Sequence, residues 1–410
     1  MAQEDTTKQI LIVGAGLAGL AVARLLTNSG ISNIVFEGSL EDRNQGFSIS
    51  LSEWGYSTLL EALGDVSVRG LTRGVAPDRQ VGGSGYVDLI MRDNTTGNIL
   101  VAPDPETQPS IIRANRNALR TWIADKGDEA LDLRYGHKLK SVTGTIGSMV
   151  ARFDNGAQYQ GSLVIAADGI YSTVRSIVLP EITPGIVPAV VYHGEFKIPR
   201  EEYDCVFRPL VGHSNILAGV GDGFNTPITV CNLTKTEAHL DWSYSRMASG
   251  EGDPLYRPNL RAEASREIPQ ALLDEVASRK LAGPWSHYLN ADAMQTHSVF
   301  YWTSKYVSMT KQDVKKGAER GVVFIGDSWH AMPIFGGEGG CHALMDAVEL
   351  AAALYHQGDG LERVISTYYD GAWKRCGDAV RRSKGRFSVL HRPIAEWRQL
   401  AEKKSAVSVT

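Results

Sequence analysis

The stretch Gln9-Ile10-Leu11-Ile12-Val13-Gly14-Ala15-Gly16-Leu17-Ala18-Gly19-Leu20 runs an apolar segment straight into glycines, and Glu37 closes a second apolar run, Ile34-Val35-Phe36. The order is strand, G-x-G-x-x-G, helix, strand, acid, which is the dinucleotide fingerprint in its full context. Gly14 allows a tight turn, Gly16 lets the backbone approach a pyrophosphate, and Gly19 lets the helix pack closely on the strand. The helix extends from Leu17 to about Ser29, where Gly30 stops it. Phosphates would sit on its first turn, at Leu17 and Ala18, where free N–H groups and the helix dipole favour an anion. Glu37, followed by Gly38, is placed to accept hydrogen bonds from a ribose diol.

The fingerprint alone does not say which dinucleotide. Two later stretches bear on that. Leu163-Val164-Ile165-Ala166-Ala167-Asp168-Gly169 is a buried strand and turn, followed by a helix start with Ser172 as N-cap and Arg175 behind it. Gly321-Val322-Val323-Phe324-Ile325-Gly326-Asp327-Ser328-Trp329-His330 is another strand ending in Gly-Asp. A loop of proline and glycines follows, from Pro333 through Gly336, Gly337, Gly339 and Gly340, and then a helix from about Cys341 to Tyr355.

With these stretches together, the chain resembles the class A flavoprotein monooxygenases of the para-hydroxybenzoate hydroxylase type, from about residue 10 to 385. The Phe-x-Gly-Glu-Gly-Gly form of the loop looks most like fungal members and the tetracycline-modifying hydroxylases. The resemblance implies an α/β fold: a Rossmann-like, glutathione-reductase-type FAD-binding domain, an antiparallel-sheet substrate domain and C-terminal helices. It implies FAD as cofactor and NADPH or NADH as transient reductant. The fingerprint would hold the ADP half of FAD. Asp168, Gly169 and Arg175 would serve FAD and NAD(P)H, Gly326 and Asp327 the ribityl chain, and the loop Pro333–Gly340 the isoalloxazine. Arg116, in Arg113-Ala114-Asn115-Arg116, matches a cofactor-contacting arginine, and Arg43, before Gln45-Gly46-Phe47, matches an arginine close to the flavin. One departure stands out. The family usually has asparagine after the loop glycines, beside the flavin pyrimidine, and this chain has Cys341. A thiol is a poorer donor than an amide. Cys341 is therefore read either as a flavin neighbour or as a small residue filling a helix N-terminus. Metal ligation by Cys341 and His342 is not expected, because adjacent residues diverge and no further ligands are spaced nearby.

The chain has 410 residues, 43% hydrophobic and 21% charged, with a net charge of −4, so it can bury large cores and carries no nucleic-acid footprint. Its four cysteines have no paired spacing, which points to a reducing compartment and a cytoplasmic protein. The polar N-terminus shows no signal peptide and no run reaches membrane-span length. The expected partners are a small hydrophobic substrate and O2, with the protein a monomer or weak dimer. Residues 1–75, 102–182 and 306–358 read as a discontinuous FAD domain, 76–101 and 183–305 as a substrate domain, and 359–410 as a helical segment. Between 185 and 305, Val187–Ile198, Ser214–Val220, Thr229–Leu233, His239–Met247 and Ser298–Trp302 read as strands, with one helix near Pro269–Ala277. Tyr86–Met91 and Asn98–Val101 add a hairpin. The cluster Arg381, Arg382, Lys384 and Arg386 reads as a solvated helix face, with an NADPH phosphate site as the alternative.

The resemblance implies hydroxylation or epoxidation of an aromatic or polycyclic small molecule of secondary metabolism, through a flavin C4a-hydroperoxide. Such chemistry needs no metal, because the cofactor carries the hard step. Tyr192, Phe224, Trp242 and Trp302 are candidates to line the pocket, though each taken singly reads more readily as core packing. His193 is a candidate general base, its near-neutral pKa suiting the role, or a satisfied sheet histidine. The alternative function is a non-oxygenating FAD enzyme, a dehydrogenase, reductase or cyclase, on the same scaffold.

Overall fold

The computed structural model describes residues 9–41, 47–64, 66–104, 106, 110–260, 264–356 and 360–407. In chain order its main elements are β1 (Ile10–Val13), α1 (Leu17–Asn28), β2 (Asn33–Phe36), β3 (Ser48–Ser52), α2 (Glu53–Ala62), β4 (Ile111–Asn115), α3 (Arg116–Ala124), β5 (Leu163–Ala166), α4 (Thr173–Val178), β6 (Ala189–Pro199), β7 (Ile228–Leu233), β8 (Glu237–Met247), α5 (Gln270–Ser278), β9 (Ser298–Tyr301), β10 (Val322–Phe324), α6 (Asp327–His330), α7 (Gly339–Tyr355), α8 (Leu361–Leu390) and α9 (Ile394–Val407).

All four side chains of β1 are buried, as in a strand covered on both faces. β1 sits inside a parallel sheet of order β10–β5–β1–β2, with Leu133–Arg134 at the edge beside β2. Ile10 pairs with Leu163 on one side and Asn33 on the other, and Val164 pairs with Val322. This is the expected Rossmann-like sheet, and it brings the C-terminal ends of β1, β5 and β10 side by side. α1 packs against α7, which in turn contacts α2 and α8.

The second sheet has the order β9–β6–β8, then Phe224–Asn225, Ile216–Val220, Met91–Asp93 and Ile99–Val101, with β7 pairing both β8 and Ile216–Val220. It is antiparallel except that Ile216–Val220 runs parallel to Met91–Asp93. The expected hairpin forms later than its sequence suggested, as Met91–Asp93 with Ile99–Val101, and Tyr86 makes only an isolated bridge to Ile112.

Both faces of this sheet are covered. On the far face Val190, Tyr192, Phe196, Phe224, Trp242 and Tyr244 form a core with Leu272 and Val276 of α5. Gly194 makes room for this core, since a Cβ there would stand 2.3 Å from the Trp242 ring. The opposite, near face carries Ala189 and Val191 against Phe387 of α8, with Trp302 and Phe335 alongside.

Arg246, near the end of β8, ties the sheet to α5. It donates to Asp253 at 2.5 and 2.9 Å and to Glu275 at 2.6 and 2.9 Å. Its hydrogen bonds hold the Asp253 carboxyl well below the usual range. Burial opposes ionisation of Glu275, but the bonds from Arg246 and Tyr244 outweigh it and lower its pKa as well. Arg246→Met should cost about 3–5 kcal/mol near neutral pH, because it strands two carboxylates. Both folded pKa values lie below the unfolded ones. The contribution is therefore full above about pH 4 and fades as pH falls through the lower folded values. Urea unfolding at about pH 7 and about pH 3 should show the gap between wild type and variant shrinking in acid. A gap of equal size at both would contradict this.

Candidate functional site

The glycine turn after β1 separates into three roles. Gly14 has φ +106°, and a Cβ there would fall 2.4 Å from the Ala167 carbonyl oxygen. A Cβ on Gly19 would fall 1.9 Å from the Gly14 oxygen, so the helix touches the turn backbone to backbone. Gly16 is different: the nearest atom to its Cβ position is 3.9 Å away, so protein packing does not require glycine there. Gly16 is also the N-cap of α1 and supplies no side-chain cap, which leaves the amides of the first turn, at Leu17 and Ala18, to another acceptor. Glu37 is fixed at the edge of this turn, accepting from the Ala15 N–H at 3.0 Å and the Ser39 N–H at 2.9 Å. Gly38 packs on Lys138. Arg120 of α3 donates to the Ala15 carbonyl at 2.8 Å, a brace that no sequence motif announced. Arg43 and Gly46 lie outside the described residues.

At the end of β5, Asp168 accepts from Ser172 Oγ at 2.5 Å and from the Val174 N–H at 3.1 Å, capping α4. Gly169 turns with φ +81°. Arg175 is 2% exposed and donates to the carbonyls of Ser328 at 2.7 Å and Ile170 at 2.5 Å. The expectation of a cofactor contact is corrected here: Arg175 spends its guanidinium on backbone and straps the β5 turn to α6.

Gly326 adopts φ +57° after β10 and presents Asp327 at the start of α6. Asp327 is solvent-accessible, yet protein crowds it on its other sides and burial pushes its pKa up, with His330 and Arg116 pulling it down. Arg116 thus stands near Asp327, and its own N–H donates to the Phe47 carbonyl at 3.0 Å. Beneath the turn lies Asp346 of α7, fully buried. It accepts from the Gly326 N–H at 2.7 Å, from Arg375 at 2.8 Å, and pairs with His330 Nε2 at 2.5 Å. Burial opposes charge on His330, but Asp346 wins and holds its pKa well above the usual value. His342, by contrast, is pushed down to about 3 by burial and by the charges of His330 and Arg375. Asp346 escaped the sequence reading, although a lone acid inside the apolar run Ala343-Leu344-Met345-Asp346-Ala347-Val348 was its signal.

The loop from Pro333 to Gly340 is gripped by α8. Ser383 Oγ donates to the Pro333 carbonyl at 2.5 Å and Arg386 to the Gly336 carbonyl at 2.9 Å. Arg386 and Arg382 also reach the Glu338 carboxylate at 3.3 and 3.5 Å. The basic cluster is therefore only partly a solvated face. Gly337 has φ +66°, and Gly340 packs close to Ile49 and Leu51.

Cys341 and three of the four pocket candidates are packed into closed cores. Cys341 is completely buried, its Sγ accepts from the Ser52 N–H at 3.2 Å, and a Cβ on Gly55 would fall 2.5 Å from its Cβ. Its side chain fills the seam between α2 and α7. α7 starts two residues early, at Gly339, and at about 100° per residue that turns Cys341 toward α2. Tyr192, Phe224 and Trp242 point into the closed far-face core and line no cleft. Sheet pleating explains this, since side chains alternate and the far face is the one sealed by α5. Trp302 and His193 lie on the near face. His193 contacts the rings of Phe47 and Phe300, with centroids 4.5 and 5.2 Å away, and Trp302 contacts both phenylalanines at 6.2 and 6.1 Å.

The glycine geometry separates ligand from packing roles. Gly16→Val should leave the unfolding midpoint of the flavin-free protein within about 0.5 kcal/mol of wild type while abolishing flavin retention. Gly19→Ala should cost about 1–3 kcal/mol by wedging the helix off the turn. Equal destabilisation by both, read by urea unfolding, would contradict the assignment. Cys341→Asn should also cost about 1–3 kcal/mol by overpacking the α2–α7 seam. An unchanged urea midpoint would place that side chain elsewhere.

No protein-family model matches the chain. Curated relatives do. The FAD-dependent monooxygenase vrtH of Penicillium aethiopicum is 61% identical over 406 residues, 99% of this chain and 98% of that protein. The FAD-dependent monooxygenase adaC of Aspergillus niger is 62% identical over 405 residues, covering 98% of each. Among solved structures, Klebsiella pneumoniae HpxO complexed with FAD and uric acid aligns with TM-score 0.72 at 20% identity, over 96% of this chain and 93% of that one. The tetracycline destructase Tet(55) aligns with TM-score 0.72 at 18% identity, over 99% and 96%. Similarity of this extent, on a chain whose fold and glycine turn are of the class A flavoprotein kind, is decisive: the chain belongs to the FAD-dependent monooxygenases.

Proposed function

We propose that this monooxygenase uses NAD(P)H and O2 to place one oxygen atom on a hydrophobic, aromatic or polycyclic small molecule of secondary metabolism. The observation that carries the substrate class is the near-face cluster of Phe47, His193, Phe300 and Trp302. These rings lie on the same side of the sheet as Phe335 of the gripped loop. A flat apolar ring system suits such walls, which exclude water and stack on its faces.

The residues fit FAD. Gly14, Gly16, Gly19 and the amides of Leu17 and Ala18 would take the pyrophosphate, Glu37 a ribose, Asp327 the ribityl hydroxyls and the loop Pro333–Gly340 the ring. When bound, FAD supplies the electron transfer and oxygen activation. The chain supplies position, dryness and proton handling. Burial lowers the pKa of His193, and the neighbouring Asp241 only partly offsets it, so the imidazole is neutral near pH 7 and able to accept a proton. We place the protein in the cytoplasm as a monomer or weak dimer. All four cysteines are free thiols, as a reducing compartment demands. Among the described residues no helix is long and apolar enough to cross a membrane.

The test is incubation of FAD-loaded protein with NADPH or NADH and an extract of its source under 18-O2. A product carrying one labelled oxygen atom should form, dependent on the reductant. Reductant consumption with all oxygen recovered as hydrogen peroxide, across extracts and aromatic test compounds, would overturn the proposal.

A further inference from the structure

Behind His193 lies a buried polar layer for which the fold alone gives no reason. Asp241 of β8 is 4% exposed. Its Oδ1 accepts from Thr229 Oγ1 at 2.5 Å, and its Oδ2 accepts from Cys231 Sγ at 2.9 Å. Oδ2 also stands 3.7 Å from His193 Nε2. Thr229 accepts in turn from Arg113 of β4 at 3.0 Å, and Arg113 donates to Ser50 at 3.3 Å. Arg113 therefore reaches Asp241 through the Thr229 hydroxyl. An acid present only to neutralise that arginine would pair with it directly and bidentately. On the other side, His193 Nε2 is buried and has no hydrogen-bond partner. The unpaired edge of the imidazole and the carboxylate face each other.

Resting on the reading of His193 given above, we propose that Asp241 is its positioning residue. Facing Nε2, the carboxylate favours the tautomer with the proton on Nε2 and leaves the Nδ1 lone pair for an acidic hydroxyl of the aromatic substrate. The substrate O–H bond breaks, the proton bonds to Nδ1, and the electron pair stays on the substrate oxygen, making the ring more electron-rich. The imidazolium stands beside a compensating carboxylate until it returns the proton to water. The donors on Asp241, Thr229 and Cys231, hold that carboxylate in place, and a carboxylate offers only acceptors to them. The charged and titratable groups around the imidazole are Asp241 of β8, Arg113 of β4, Cys231 of β7 and Glu195 of β6, the last 3.7 Å from His239. Asp241 and Glu195 favour the protonated ring, while burial and Arg113 oppose it.

The experiment is nitrogen NMR of the full-length, FAD-loaded protein labelled at histidine, with the His193 signal identified by its loss in His193→Gln. Wild type should show the tautomer protonated at Nε2. Asp241→Asn, which keeps size and shape, should lower the proton affinity of His193 about tenfold and weaken the tautomer preference. Thr229→Val removes a donor from Asp241, leaves more of the carboxylate's charge facing Nε2, and should shift the His193 titration the opposite way. It also serves if Asp241→Asn does not fold. Opposite shifts are not expected of a residue that merely holds the sheet together. A His193 protonated at Nδ1 in wild type, or a titration unchanged in both variants, would overturn the proposal. The titration needs no substrate, reductant or turnover, so its failure is distinct from failure of the substrate class.

Discussion

The side of the molecule that carries the Gly326 turn and the loop after α6 hangs from one buried carboxylate, Asp346. A single acceptor gathers the Gly326 amide, the His330 imidazole and the Arg375 guanidinium, and so joins the turn after β10, α6, α7 and α8. Each partner would be costly to leave alone. His330 is held in its charged form there, and an unpaired buried charge costs several kcal/mol. The sharp turn at Gly326 is therefore fixed from below, and with it the direction of Asp327. The constraint extends further, because α8, once tied to Asp346 through Arg375, carries Ser383 and Arg386 to the loop that follows α6.

The same device recurs at two other junctions. Arg246 joins the far-face sheet to α5 through two carboxylates, and Asp241 sits where β7 and β8 meet β4. Hydrophobic burial is non-directional and would tolerate small slides between these layers. A network of directional hydrogen bonds does not, because sliding by one hydrogen-bond length breaks several of them at once. The large apolar cores supply most of the stability, and these three networks fix how the layers sit.

The parallel sheet was legible in the sequence because its inner strands are short, almost wholly apolar and punctuated by glycine, and Gly14 and Gly19 proved to be glycine for the reasons their spacing suggested. The aromatic strands were legible as strands but not as faces. Alternation says that Tyr192 and His193 point opposite ways, yet both faces of this sheet are covered, so hydrophobicity did not mark which one is sealed by α5. Tyr192, Phe224 and Trp242 were misplaced for that reason. Which neighbour Cys341 faces was not legible, because helix ends are uncertain by a residue or two and each residue turns a side chain by about 100°. Arg175 holds a motif position but binds backbone carbonyls, a use that sequence spacing does not distinguish from binding a ligand.

The far-face core and the near-face chemistry are in the end one problem. A slip of one residue in β6 would put Tyr192 where His193 stands, and a slip in β8 would exchange Trp242 for Asp241. What forbids the slip is packing. The Trp242 indole fits over Gly194, where no side chain could be tolerated, and its Nε1 donates to His297 Nδ1 at 3.0 Å. That fit sets the pairing of Gly194 with Trp242 and hence of Glu195 with Asp241 and of His193 with Ser243. The position of the imidazole beside its carboxylate is thus decided on the opposite side of the sheet, by a tryptophan packed in the far-face core.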